Sequence, residues 1–261
     1  MLAVSRRQRI LELLDAKQIV VVSELSKELQ VTEETVRKDL QKLEKEGALR
    51  RIHGGAVPAD ASLSGELPFE LRKTQHVREK QAIAAEAVKL IGEGSVIALD
   101  TSSTSLHIAY LLQNRRHLTV ITNSFHVVDA LKTNSHIRLI STGGHFRTES
   151  LSFSGEIAER ALEQYGIDQA FVSTRGVTLD RGLLEPHEQE ARMKKKLIER
   201  VRQVVLLCDG SKFGQSALYP IATLERVDTL ITDSGAPPAY LRYMEQMGKP
   251  AIVAAAFIPH E

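Results

Sequence analysis

Apolar positions in the first fifty residues recur at steps of three and four. Ile10, Leu13 and Leu14 form one stripe, Leu25 and Leu29 a second, and Val36, Leu40 and Leu43 a third. Such spacing marks helices that turn one face to a core. It predicts helices over about 5–17, 23–30 and 33–46, the last two separated only by the turn at 30–32. Thr32 suits the N-cap of the third helix, with Glu33 and Glu34 in a first turn that faces the positive end of the helix dipole. Thr32 and Thr35 give a T-x-x-T spacing, a cap without the full capping box. Gly47 ends the helix by allowing a left-handed residue.

The pattern then changes. Residues 58–68 are small, polar and aperiodic, and read as a linker. A long helical pattern follows over about 69–91, with Ile83, Ala84, Ala87, Val88 and Ile91 on its apolar side and Gly92 and Gly94 closing it. Beyond it, short apolar runs stand at 95–99, 118–122, 137–140, 169–173, 204–207, 229–232 and 251–254. Helical segments fall between most of them, at about 105–113, 125–132, 156–165, 188–201 and 238–247. Strands alternating with helices imply an α/β unit whose parallel sheet is covered on both faces. The expected organisation is a small helical domain over 1–57, a linker over 58–68 and a larger Rossmann-like parallel-sheet domain over 69–261.

The polar positions of the small domain suggest its chemistry. Thr32, Thr35, Arg37, Lys38 and Lys42 are left largely off the apolar stripe of the third helix. A tight helix pair whose second member exposes Thr, Arg and Lys has the helix-turn-helix layout. The stretch Leu49-Arg50-Arg51-Ile52-His53-Gly54-Gly55 adds a basic hairpin beside it. For a lone helix these charges would be a solvated face. The order of elements argues instead for DNA contact by Thr32, Thr35, Arg37, Lys38 and Lys42, with Arg50, Arg51 and His53 holding the backbone.

Composition narrows the picture. The chain has 261 residues, 43% hydrophobic and 26% charged, with a net charge of +1. Residues 1–57 carry 11 Lys and Arg against 9 Asp and Glu, and the remainder 23 against 24. This is no polybasic tail that grips any nucleic acid. Its cations stand among carboxylates, which suits specific docking by a dimer or tetramer more than bulk adhesion. The single cysteine, Cys208, sits in an apolar run and reads as a buried thiol, so a disulfide framework within one chain is excluded. The N-terminus runs straight into Arg6, Arg7 and Arg9, and no apolar run has membrane-spanning length. A cytoplasmic location is expected, with no membrane partner.

Ligands of parallel sheets bind beyond the carboxyl ends of the strands. There the sequence places a series of polar turns. Asp100-Thr101-Ser102-Ser103-Thr104 leads into a helix, where N–H groups and hydroxyls make an anion site. Asn123 and Ser124 follow the second run. Gly143 and Gly144 follow the third and permit close backbone approach. Asp209-Gly210-Ser211-Lys212 offers a carboxylate for sugar hydroxyls and an ammonium for phosphate. Each turn alone is ordinary cap or turn chemistry; together they point to a small, hydroxylated, anionic ligand. His187, between Glu185 and Glu188, reads as a loop before a helix more than as a metal site. No cofactor or metal is expected.

The chain resembles the DeoR family of bacterial regulators. The residues carrying this are Arg7, Ile10 and Leu14; Val22, Glu24 and Leu25; the run Val31 to Glu44; and Gly47 with Arg51 to Ala56. Residues 78–256 resemble that family's sensor domain, related in fold to ribose-5-phosphate isomerase and glucosamine-6-phosphate deaminase. The matching pieces are Asp100 to Thr104, Thr122 to Ser124, Gly143-Gly144, Glu190-Ala191 with Lys194, Asp209 to Gly214 and Leu230 to Asp233. The resemblance implies a winged helix-turn-helix bound to a double-stranded operator. It implies repression of a sugar or polyol catabolic operon, relieved by a phosphorylated sugar that touches Asp209 and Lys212. It also brings Glu190 and Lys194 into the effector set. Two departures stand out. Ser102 replaces the family's glycine, and Ser173-Thr174-Arg175-Gly176 replaces a G-x-x-G stretch, so that Arg175 is either an added cation for the effector or a surface residue. The alternative function is a sugar-phosphate isomerase fused to a DNA-binding domain. It needs a carboxylate base, and the matching region, Ser173 to Gly176, carries no carboxylate.

Overall fold

The structure, a computed structural model, describes residues 2–17, 19–52, 54–59 and 68–255. The chain divides into two compact units, residues 1–75 and 76–261.

In the first unit, α1 (Ala3–Lys17), α2 (Val22–Glu28) and α3 (Glu33–Lys45) surround a core of Ile10, Leu13, Leu14, Leu25, Val36, Leu40 and Leu43. These are the stripes read from the sequence. Thr32 caps α3, its side chain accepting from the Thr35 N–H at 3.3 Å. Three short strands pack with these helices: β1 (Val20–Val21), β2 (Leu49–Ile52) and β3 (Gly55–Pro58), in the order β1-β3-β2. The β2–β3 hairpin is the wing. Gly55 cannot be replaced cheaply, since a Cβ there would lie 2.1 Å from the Val20 carbonyl oxygen and 3.0 Å from Leu71 Cδ2. Pro58, assigned by sequence to the linker, is the last residue of β3. Of the linker residues, 60–67 lie outside the described residues.

The long helix expected over 69–91 is two helices. α4 (Phe69–Thr74) buries Phe69 and Leu71 and belongs to the first unit; α5 (Val77–Lys89) buries Ala82, Ile83, Ala84 and Ala87 in the second. His76 between them adopts left-handed backbone, φ 50°. The 3.6-residue period runs through both, so the pattern alone does not reveal that two cores are being served.

The second unit continues with β4 (Val96–Leu99), α6 (Ser103–Leu111), β5 (Leu118–Thr122), α7 (Phe125–Leu131) and β6 (Ile137–Ser141). It then has β7 (His145–Arg147), β8 (Ser152–Ser154), α8 (Glu156–Glu163), β9 (Ile167–Val172), β10 (Gly176–Thr178), β11 (Gly182–Glu185) and α9 (Glu188–Arg200). Last come β12 (Val201–Cys208), β13 (Tyr219–Ala222), β14 (Thr229–Thr232), α10 (Pro238–Gln246) and β15 (Ala251–Val253). The main sheet is parallel throughout, in the order β15-β14-β12-β9-β4-β5-β6. All seven of its strands fall on the apolar runs of the sequence. Apolar residues from its two faces feed two clusters, one with α8, α9 and α10 and the other with α5, α6 and α7. Fully apolar strands are what burial on both faces demands.

Strand order reverses between β4 and β9: from β4 the chain steps outward to β5 and β6, and from β9 to β12, β14 and β15. Crevices at such switch points are where open α/β sheets bind ligands. A β7–β8 hairpin and a small β10-β11-β13 sheet stand apart from the main sheet.

Candidate functional site

α3 shows how the first unit presents charge. Asp39, on the buried side, accepts from Arg6 Nε of α1 at 2.5 Å, which ties the two helices together. Arg37 and Lys38 are exposed, and each faces a carboxylate one turn back. Arg37 Nη2 lies 2.5 Å from Glu33 Oε2, and Lys38 Nζ lies 3.6 Å from Glu34 Oε1. Lys42 is exposed on the same helix, and Thr35 Oγ1 shares a 3.0 Å hydrogen bond with Thr32 Oγ1. On the wing, Arg51 donates to Glu44 through both Nε (2.7 Å) and its backbone N–H (2.9 Å). Those bonds hold the Glu44 carboxyl below its usual range. Arg50 is half-buried beside it. His53 lies outside the described residues. The helix and wing therefore form one polar surface carrying Thr32, Thr35, Arg37, Lys38, Lys42, Arg50 and Arg51.

In the second unit the switch-point turn is built on Asp100, 1% exposed. Its Oδ1 accepts from the Ser102 N–H (3.0 Å) and the Ser105 hydroxyl (2.6 Å), and its Oδ2 from the Ser173 N–H after β9 (2.8 Å). Ser102 caps α6, accepting from the Ser105 N–H at 3.0 Å. Lys194 of α9 lies 3.4 Å from Asp100, and it donates to the Ser173 carbonyl at 2.7 Å and to Glu185. Burial works against the Lys194 charge, but Glu185, Asp100 and Glu190 outweigh it and raise its pKa. Burial likewise opposes ionisation of Asp100, yet Lys194 and the donors of Ser102, Ser105 and Ser173 hold its carboxyl below the ordinary value.

Glu190 is a second buried anchor. Its Oε1 accepts from Arg147 Nη1 (2.8 Å) and Ser152 Oγ (2.6 Å), its Oε2 from Thr101 Oγ1 (2.9 Å). One carboxylate thus joins the β7–β8 hairpin, the switch-point turn and α9. Burial again opposes the charge, and Lys194, Ser152, Arg147 and Thr101 overcome it.

Around these anchors stand the other residues that the sequence assigns to a ligand. Lys212 Nζ donates to Ser173 Oγ at 2.6 Å and lies 3.6 Å from Asp209 Oδ2. Asp209 Oδ1 accepts from the Ser211 N–H and hydroxyl, whereas Oδ2 is buried with no hydrogen-bond partner among the described residues. Thr104 Oγ1 is likewise buried without one. Burial raises the Asp209 pKa, but Lys212, Ser211, Lys80 and His76 bring it below its usual value. Ser103 and Thr104 open α6, whose first N–H groups have no intrahelical acceptor. Arg175 is exposed, and the side-chain amide of Asn123 is taken by the Phe153 carbonyl at 3.0 Å. Ser124 caps α7. The glycine pair serves the fold: Gly144, φ 109°, would place a Cβ 2.6 Å from the Ser154 carbonyl oxygen, and Gly143 has left-handed backbone. His187 caps α9, and among the described residues no cluster of His, Cys, Asp and Glu has the makings of a metal site.

Sequence reasoning missed several participants. Lys80 is 3% exposed and near enough to Asp209 for its charge to act there. The signal was available, since Lys80 precedes Ile83, Ala84 and Ala87 on the buried stripe of α5. Arg147 and Ser152 carried a subtler one. In Ser150-Leu151-Ser152-Phe153-Ser154 the serines are the buried members and the apolar residues are not. Ordinary alternation reads the other way round.

Two family models match the chain. A DeoR-like helix-turn-helix domain matches residues 6–61, and a DeoR C terminal sensor domain matches residues 75–234. The uncharacterized HTH-type transcriptional regulator YulB of Bacillus subtilis (strain 168) is 44% identical over 245 residues, 94% of each chain. A putative aga operon transcriptional repressor of Escherichia coli O157:H7 is 33% identical over 249 residues, 95% of this chain and 93% of its own. A solved ribose 5-phosphate isomerase A of Methanocaldococcus jannaschii aligns at a TM-score of 0.39 and 25% identity, covering 51% of this chain and 53% of that one. That alignment is too loose to carry any chemistry across. With both domains matched and relatives similar over nearly their full length, the chain belongs to the DeoR family of DNA-binding, helix-turn-helix transcriptional regulators.

Proposed function

We propose that this regulator represses a sugar or polyol catabolic operon and releases its operator when a phosphorylated sugar binds the second unit. The carrying observation is the convergence, at the strand-order reversal, of the Lys212 ammonium, the opening N–H groups of α6 and the buried Asp209 Oδ2. The ammonium sits one hydrogen bond from Ser173, whose N–H binds the same Asp100 that shapes the α6 start. A phosphate is suited to the cation and the helix start. A hydroxyl is suited to Asp209 Oδ2 and Thr104 Oγ1, two buried acceptors that a sugar can satisfy. Operon repression accords with the name of the aga operon relative.

The isomerase alternative fares worse on the same geometry. A general base works best with a pKa near the operating pH. Asp100 and Glu190 are each held by three hydrogen-bond donors and a neighbouring cation, and both are pushed below the carboxylate range. They are anchors, poorly suited to taking a proton.

In this reading two chains pair, and each places α3 in a major groove with its wing on the adjoining backbone. Effector acts only through its differential affinity for the DNA-bound and free arrangements. Calorimetric titration of the full chain with sugar phosphates and their parent sugars tests the proposed site. One phosphorylated compound should bind, and its parent sugar should bind far more weakly. Equal affinity for both would remove phosphate from the account.

A further inference from the structure

The first unit has a feature that DNA binding by itself does not require. Three of the five described cations expected to meet DNA, Arg37, Lys38 and Arg51, are already paired with carboxylates of the same surface. Arg37 meets Glu33 at 2.5 Å, Lys38 meets Glu34 at 3.6 Å, and Arg51 meets Glu44 at 2.7 Å. In each pair both partners keep a substantial share of their side chain in solvent, so a phosphate can reach either. The two α3 pairs have Glu one turn before the cation, the favourable orientation, and both acids lie in the first turn of α3. That is the end of the helix at which a duplex phosphate would be received.

We propose that Glu33, Glu34 and Glu44 set the specificity of this regulator by holding its DNA-facing cations against phosphates of the wrong sequence. The inference rests on α3 and the wing being the DNA-contacting surface. Binding to arbitrary duplex is almost entirely exchange of counterions for Lys and Arg, without directional bonds to bases. A cation that must first leave a carboxylate, and leave that carboxylate facing phosphates, gains little from such an exchange. At the operator the same cation forms directional bonds to base edges or positioned phosphates, which repay its release. The three acids thus weaken random binding more than operator binding. They are three of the 9 Asp and Glu that stand against 11 Lys and Arg over residues 1–57.

The experiment compares the full-length protein with its Glu33→Gln/Glu34→Gln/Glu44→Gln variant on two duplexes: one of random sequence, and one enriched from a random library by the unaltered protein. Affinity is followed against salt. The control is Glu12→Gln, which removes an equally exposed partner, that of Arg9 on α1, outside the helix and wing. The variant should bind random duplex roughly tenfold tighter, with a salt slope steeper by about 0.9 for each cation freed, while operator binding gains less, so that the ratio of the two affinities falls. The Glu12→Gln control should move neither. The inference is overturned by unchanged random-duplex affinity, by equal gains on both duplexes, or by a per-residue gain from Glu12→Gln that matches the variant. Failure of the unaltered protein to enrich any duplex would instead overturn the DNA-contact reading on which it rests. A thermal melt guards against misfolding. Should the triple variant unfold, Glu34→Gln alone carries the test, since it removes the exposed partner of Lys38.

Discussion

Single residues divide into those that touch partners and those that aim them. Arg37 is exposed on α3, where it is tied to Glu33. If it reads a base edge, Arg37→Ala weakens operator binding by roughly 1–3 kcal/mol and relaxes preference at one position. A titration showing unchanged operator affinity takes Arg37 out of the contact set. Lys212 belongs to the other unit and lies in the polar turn after β12. Lys212→Ala should therefore leave operator affinity as it is and abolish release by the effector; persistence of release in a mobility-shift assay would put the phosphate elsewhere. The sequence made both residues legible because each stands in a polar stretch beside a regular element. Asp100, Glu190 and Lys194 were legible only as members of the site. Their role as anchors depends on Ser173, Ser105 and Arg147, which lie up to 73 residues away in the chain.

At the level of elements, the β7–β8 hairpin depends on the Glu190 tie. Arg147 and Ser152 are buried because that carboxylate receives them, and Ser154 adds a 3.2 Å bond to Gln189 of α9. This is why the buried positions over 150–154 are serines rather than the apolar residues that alternation would place there. Burying serines is unfavourable until a charged acceptor from a distant helix supplies their bonds. The seven strands of the main sheet needed no such help, as burial on both faces writes itself into continuous apolar runs. The break at His76 was not legible because the helical period runs on through it, and the small β10-β11-β13 sheet was not because its short strands carry too few periods to read. Glu190 also links the site to pH. Asp100 and Glu190 have folded-state pKa values below their ordinary 3.8 and 4.5, so each adds stability above those values. That stability is lost as pH falls below them and through the depressed folded-state values. The second unit should therefore begin to lose stability as pH falls toward about 4. Glu190→Gln should lower its melting temperature at pH 7 and flatten the dependence on pH between 5 and 3. A variant with an unaltered acid profile would show that the tie contributes nothing to stability.

For the molecule as a whole, we propose that one unit grips DNA and the other decides whether it does. The family assignment and the separate cores of residues 1–75 and 76–261 support this division of labour. The ends of β4, β9 and β12 supply the place where a ligand would act. The most direct test is binding of the full-length protein to its enriched operator duplex, alone and with fructose-1-phosphate, glucosamine-6-phosphate and tagatose phosphates added in turn. The account predicts tight binding that one phosphorylated sugar reverses and its unphosphorylated parent does not. Tight binding that no sugar phosphate alters would leave a DNA-binding protein and contradict the effector site built on Asp209 and Lys212.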